Sequence, residues 1–386
     1  MDEEIKIQSK ILICMFCFLL LVEYEQNYRE YFKYLIGFGA VFIYLCAGLF
    51  TNLVSVRFTI SMLLKMVAIS IMYAGVAFSF GVFVFSTYVN FNVYLLLFFL
   101  YRSFFYEESH FQYFLDCYKV MVLLCALLSI CIWLGGGFLI WGNTQVGRNS
   151  SIFHDPNYAA VIFSIAIILR INEYGISFRQ GAKELFILPV LILALLLTFS
   201  KSGMLFLFAA FSIWLYFKNR VGFLVLVVVI SLCAFNLNNI IEILSNSFPT
   251  LRIGDGLNGR EIFFDLALGV IGESPFAMRE SSSIADIIGL YSYRANVSFH
   301  NTYLDLSFVY GVQFTFVLIG YILLVFLIRW FDYANYKLEL IIGIPLFLMS
   351  FTLLISPMGF GILSCLMGLI LSRLSRGQHG IEKASF

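Results

Sequence analysis

The stretch LFILPVLILALLLTFSKSGMLFLFAAFSIWLYF, residues 185–217, carries one charge, Lys201, in 33 consecutive positions. A helix rises about 1.5 Å per residue, so the run suits two short crossings of a hydrocarbon layer about 30 Å thick. Lys201 falls between them in Thr198-Phe199-Ser200-Lys201-Ser202-Gly203, with almost no loop. Two apolar helices turning at a lysine predict a membrane hairpin.

The chain around this hairpin reads the same way. Hydrophobic residues make up 61% of the 386 positions and charged residues 12%, against about 25% charged in ordinary soluble domains. Phe alone contributes 44 residues. A water-facing exterior cannot be built from such a composition. The net charge of +1 carries no signal for nucleic acid, and no nucleic-acid partner is expected.

Apolar runs between charges predict an all-α, polytopic integral membrane helix bundle of about twelve transmembrane helices. The spans are placed at 11–24, 31–50, 66–85, 89–105, 120–141, 157–169, 185–199, 202–217, 221–237, 302–328, 338–355 and 358–371. This divides the chain into nine spans in 1–237, a large loop in 238–300, three spans in 301–372 and a tail in 373–386. Asp2, Glu3 and Glu4 spoil a basic leader region, and no small-residue cleavage site follows Leu21. The first run is therefore expected to stay as a helix.

Charge placement orients the bundle. With the N-terminus inside, the outside holds Arg29, Lys33, Arg148, Lys201, Arg252, Arg260, Arg279 and Arg294, and the other 16 of the 24 Lys and Arg lie inside. Cationic loops favour the cytoplasm, so both termini are expected there. Cys14 and Cys17 have C-x-x-C spacing, but they sit mid-span in an apolar run. Free Cys is a common small hydrophobe, and neither a metal nor another cofactor is expected.

The loop 238–300 is the one long hydrophilic segment. It carries Pro249, Gly254, Gly256, Gly259, Pro275 and Ser281-Ser282-Ser283. Loops of this length in compact proteins are functional or disordered. Within it REIFFDLALGVI, residues 260–271, predicts a short amphipathic helix on the membrane surface.

Several polar residues on the outer side have two readings each. Asp155-Pro156 suits a helix start, with Asp as N-cap and Pro at the first helical position. Arg148, just ahead of that start, is either a solvated loop charge or half of an anion site completed by the helix N-terminus. Lys201 either snorkels to headgroups or faces an anion. Arg260 opens the surface helix, again suited to an anion, while Arg252, Arg279 and Arg294 read as headgroup or solvent contacts. His300 stands where the loop meets the next span, in Phe299-His300-Asn301-Thr302. It is a structural interfacial residue or a base able to take a proton from a sugar hydroxyl.

No Walker loop, G-x-G-x-x-G after a strand, H-E-x-x-H or G-x-S-x-G is present. Cations and a histidine at one face of a helix bundle suit a lipid-linked pyrophosphate. The cations would hold the departing diphosphate without a metal while a base activates an acceptor.

Gly147-Arg148 followed by Ser151-Ile152-Phe153-His154-Asp155-Pro156-Asn157-Tyr158-Ala159-Ala160 resembles a segment of the O-antigen polymerase and O-antigen ligase superfamily. Thr198-Phe199-Ser200-Lys201-Ser202-Gly203 resembles that family's T-x-S-R-x-G element, with Lys201 in place of Arg. Asn258-Gly259-Arg260 with Ser274-Pro275-Phe276 is similar to the start of its large periplasmic loop. His300-Asn301 with Leu304 and Gly311 resembles the closing H-N-x-x-L element.

The resemblance implies a GT-C-like, metal-independent glycosyltransferase acting on undecaprenyl-pyrophosphate-linked oligosaccharide at the periplasmic face of the bacterial inner membrane. On the matching positions, Arg148, Arg260 and Lys201 would bind the pyrophosphate and His300 would be the general base. His154 and Asn301 are candidates for contacts to the acceptor. Polymerase is favoured over ligase because the Phe-rich, divergent chain is more like the polymerases, and a chain-length regulator is then a candidate partner. A lipid-linked glycan flippase or other transporter would share the helix count. It would place its charges inside the spans near the midplane, and here those spans are nearly free of Lys and Arg.

Overall fold

The computed structural model describes residues 60–80, 82–103, 108–135, 153, 155–174, 182–235, 260–280, 282–291, 299, 301–353 and 362–376, with a few helical positions between 10 and 21. The predicted span at 31–50 lies outside the described residues, as does most of 11–24. Every regular element among the described residues is an α-helix. They run α1 Ile60–Ser79, α2 Phe85–Ser103, α3 Glu108–Leu134, α4 Pro156–Tyr174, α5 Ala182–Leu197, α6 Lys201–Lys218 and α7 Arg220–Phe235. In the loop lie α8 Arg260–Glu273 and α9 Ser282–Tyr291, followed by α10 Thr302–Tyr310, α11 Val312–Phe331, α12 Tyr333–Met349 and α13 Ile362–Arg376.

Two of these, Glu108–Leu134 and Val312–Phe331, are long and apolar enough to cross a membrane. The stretches Leu63–Ser79, Phe186–Leu197, Arg220–Ser231 and Ile362–Ser375 are apolar but shorter. Some predicted boundaries move. The helix that holds the third predicted span begins at Ile60 and the one that holds the fifth at Glu108, each taking in residues read as a connecting loop.

Helix contacts sort the ends of the bundle into two faces. On one face Arg373, in the last turn of α13, lies 2.5 Å from Glu108 at the start of α3 and 2.7 Å from Glu339 near the start of α12. Its guanidinium also covers the Phe111 ring at 4.2 Å. Burial works to lower the Arg373 pKa, but the Glu339 and Glu108 carboxylates outweigh it and hold it above its ordinary value. On the same face buried Lys119 of α3 pairs with Glu173 at the end of α4 and with Asp116 at 2.7 Å. The opposite face gathers the starts of α4 and α6, the end of α12 and the start of α10.

Packing puts α4 and α13 at the centre. All of 159–169 on α4 is at most 2% exposed, and Ser164 among them is fully buried. On α13 Ile362, Cys365, Leu366 and Leu371 are fully buried. The described part of the span at 358–371, from Ile362 on, is thus enclosed by protein. A Cβ on Gly343 would meet Ile370 at 2.8 Å and Phe326 at 3.0 Å, so α12 presses close against α13 and α11. At the periphery α7 and α11 turn large apolar side chains outward, among them Val221, Leu224, Phe316, Val317 and Phe331. Water does not tolerate continuous faces of that kind. Cys17, Cys117, Cys125 and Cys365 are buried in the core, and no group of three His, Cys, Asp or Glu among the described residues is arranged to hold a metal.

Residues 302–328, predicted as one span, form two helices. Gly311 adopts φ 86, a conformation that costs glycine little and other residues much, and it separates α10 from α11. The backbone groups freed by the break are taken up locally. The Gly311 N–H donates to the Ser307 carbonyl, the Arg279 N–H to Val309, the Tyr73 hydroxyl to Tyr310, and the Val312 N–H to Pro275.

Candidate functional site

A close helix contact lies under Lys201. Helices α4 and α6 run parallel, both starting at the same face. A Cβ on Gly203 would lie 2.2 Å from the Ala160 Cβ, so only glycine admits this approach. The Ser164 hydroxyl donates across the seam to the Gly203 carbonyl at 3.0 Å. Small residues at 160, 164 and 203 are the pattern that brings membrane helices together.

The two helix starts are capped and then bonded to each other. Asp155 accepts from the Asn157 N–H at 2.6 Å, which is the N-cap role its sequence suggested. Ser200 caps α6, accepting from the Gly203 N–H at 3.2 Å. The Ser200 hydroxyl also donates to the Asn157 side-chain oxygen at 2.8 Å. Thr198 holds the preceding turn by donating to the Leu195 carbonyl at 2.6 Å and accepting from the Ser200 N–H at 3.2 Å. Phe199 in that turn has φ 45, a strained value for a bulky residue, kept in place by the surrounding bonds.

Lys201 is the first residue of α6 and is half-buried. It therefore stands at the positive ends of two adjacent helix dipoles, whose first turns are capped by Asp155 and Ser200. An anion held there would meet one full charge and two partial ones.

Near His300 the flanking residues are fixed. The Phe299 N–H donates to the Asp305 carboxylate at 2.9 Å, and the Phe299 ring packs edge-on against Phe308. Asn301 is the N-cap of α10, its side-chain oxygen accepting from Tyr303 and Leu304 N–H at 2.9 and 3.1 Å. That cap gives the Asn301 side-chain oxygen a structural role. Thr302 ties α10 to the end of α12, its N–H donating to the Ser350 carbonyl and its hydroxyl to Leu353. Because α12 packs along α6, the starts of α4, α6 and α10 lie at one face.

Arg148, His154 and His300 lie outside the described residues, so the structure does not bring them to Lys201 by any distance. Arg260 is the first residue of α8. Over the stretch predicted as a surface helix, α8 buries Ala267 and Ile271 and exposes Ile262 and Leu268.

Arg279 differs from its sequence reading as a headgroup or solvent contact. Its guanidinium donates to the Val270 and Ser274 carbonyls at 3.0 Å each, at the end of α8, and to Phe308 of α10 at 3.4 Å. It also covers the Phe308 ring at 5.1 Å. Burial pulls its pKa below the ordinary value, with Glu273 opposing. The adjacent backbone is fixed from α2, where Thr87 donates to the Arg279 carbonyl at 2.9 Å and Ser86 to Glu280 at 3.1 Å. A position six residues beyond a helix with nothing but a Ser-Pro turn between offers no sequence signal for this. The small-residue spacing at Ala160 and Ser164 is a signal that could have found the α4–α6 seam.

Comparison with known proteins finds no match, whether among family models, curated proteins or solved structures.

Proposed function

We propose that the chain is a polytopic inner-membrane enzyme of about twelve spans, with both termini cytoplasmic, that polymerises undecaprenyl-pyrophosphate-linked repeat units of a surface polysaccharide. The observation that carries this reading is the Ser200–Asn157 bond, which sets two helix N-termini side by side beneath Lys201. Such a place suits a diphosphate. The charge distribution of the whole chain and the outward apolar faces of α7 and α11 support the membrane setting.

In this mechanism Arg148, Arg260 and Lys201 hold the donor pyrophosphate, aided by the N-termini of α4 and α6. His300 takes the proton of the acceptor hydroxyl as its oxygen attacks the anomeric carbon. The bond from that carbon to the pyrophosphate oxygen breaks, and the cations stabilise the departing charge without a metal. Ligase activity would use the same donor site with lipid A-core as acceptor. A transporter reading is less well supported, because the predicted spans are nearly free of Lys and Arg, which a transporter would place near the midplane.

A strain lacking the gene separates the two enzymes on one lipopolysaccharide gel. Core capped with a single repeat marks loss of a polymerase, and bare core marks loss of a ligase. An unchanged ladder would contradict both.

A further inference from the structure

Away from the Lys201 face, two tight turns lie against each other. Asn219 alone separates α6 from α7, and Asp332 alone separates α11 from α12. Their flanking rings interlock. Tyr216 stacks on Trp330 at 5.4 Å, and Phe217 stacks on Tyr333 at 4.9 Å with the planes 4° apart. Phe217 also touches Trp330 at 5.2 Å.

Cations bracket this stack on both sides. Arg220 lies 6.0 Å over Tyr216, Lys337 lies 6.0 Å over Tyr333, and Lys218 is the next residue after Phe217. All three are exposed, and among the described residues none is paired with a carboxylate. A fourth, Arg329, is already engaged by the Leu374 carbonyl, the Tyr336 ring and Asp332 at 4.0 Å. Directly beside the turns, Val221, Leu224, Leu327 and Phe331 are more than half exposed. Apolar side chains, then Trp and Tyr, then unpaired cations is the order of layers met on leaving a bilayer.

We propose that Lys218, Arg220 and Lys337 form a binding site for the phosphate of an anionic glycerophospholipid in the adjacent leaflet. The proposal rests on the membrane reading given above. A zwitterionic headgroup brings its own cation and gains little at such a site. An anionic headgroup gains an attraction of about fivefold in affinity for each Lys or Arg near it. The aromatic stack between the two turns holds the cations apart at a fixed spacing, which a lone basic loop would not do. The rings also occupy the headgroup level, so the acyl chains would lie along the outward faces of α7 and α11.

Trp330 reports on the site directly. The chain has four tryptophans, and replacing Trp133, Trp141 and Trp214 by Phe leaves the one in the stack. In vesicles of phosphatidylcholine containing a fixed fraction of brominated lipid, the full chain is expected to show stronger Trp330 quenching by brominated phosphatidylglycerol than by brominated phosphatidylcholine. The expected preference is about tenfold or more at low salt, and it falls as salt rises. In the combined variant Lys218→Gln, Arg220→Gln and Lys337→Gln that preference should disappear while quenching by brominated phosphatidylcholine persists. Equal quenching by the two lipids in the parent, or an undiminished preference in the variant, would overturn the proposal and leave the membrane reading standing. Absence of quenching by either lipid would overturn both. Native mass spectrometry of the unaltered chain with the same lipids reads the same preference should the Phe background fail to fold.

Discussion

Gly203 and Ala160 face each other across the α4–α6 seam at a separation that no second methyl group can enter, since an added Cβ would come within 2.2 Å of the Ala160 Cβ. The bonds of Ser200 to Asn157 and of Ser164 to Gly203 depend on that approach. The closeness of two helix N-termini at Lys201 is therefore set one turn deeper, by a residue with no side chain.

Gly203→Ala should force the helices apart and cost about 1–3 kcal/mol of stability, the usual range for overpacking. Thermal unfolding of the detergent-solubilised protein, followed by fluorescence, would register the loss. The compensating change Ala160→Gly in the same chain should recover part of it, since the new methyl would still lie 3.0 Å from the residue 160 backbone and a mid-helix glycine itself costs about 1 kcal/mol. Failure of that rescue would mean the clash is not with Ala160.

Ser200→Ala removes a helix cap and a hydrogen bond to the half-buried Asn157 side chain together. The expected cost is about 1 kcal/mol for the cap, with about 0.5–1.5 kcal/mol more for the bond to Asn157. Asn157→Asp separates fold from function more cleanly. A carboxylate still accepts from Ser200 and is favoured at a helix N-terminus, so the melting temperature should hold or rise. Its negative charge repels a bound anion, so glycan polymerisation should fall by about tenfold or more. Equal loss of stability and activity would argue against an anion at this place.

How much of this was legible in the sequence differs sharply along the chain. The two helices and the tight turn at Lys201 could be read because apolar runs are local signals, and α5 and α6 begin and end within three residues of the predicted spans, although both pack on α4 and not on each other as a hairpin would. Asp155-Pro156 was legible for the same reason. The break at Gly311 was not, because glycine inside an apolar run is common and the deciding partners, Arg279 and Tyr73, lie 30 and 237 residues from the Val309 and Tyr310 carbonyls they bond. The span at 358–371 looked marginal because its length and composition say nothing of what surrounds it. Its burial comes from α2, α11 and α12, which no local pattern records.

Arg279 fastens the end of α8 to α10, and Arg279→Gln should leave the Val270, Ser274 and Phe308 carbonyls short of a donor. A loss of about 1–3 kcal/mol is expected. Arg279→Lys should restore only part of it, because an ammonium cannot span three carbonyls as the planar guanidinium does. Full recovery with Lys would show that charge, not the fork, matters here.

The two carboxylates on Arg373 should behave unequally. Glu339 is 5% exposed, and Glu339→Ala leaves the partly buried Arg373 guanidinium with the exposed Glu108 alone, at a cost of about 1–3 kcal/mol. The Glu108 side chain is 59% exposed, and Glu108→Ala should cost about 1 kcal/mol or less. Thermal unfolding of the two variants side by side tests the order, and equal losses would contradict it.

The central claim is that the Lys201 face performs metal-independent glycosyl transfer from a lipid pyrophosphate. The most direct test incubates the purified full chain, reconstituted in vesicles with EDTA present, with undecaprenyl-pyrophosphate-linked repeat units, and resolves the product lengths on a gel. The account predicts a ladder of polymers with release of undecaprenyl pyrophosphate from the parent chain, and single repeats only from His300→Ala at equal incorporation. No ladder from the parent chain, or an undiminished ladder from His300→Ala, would contradict it.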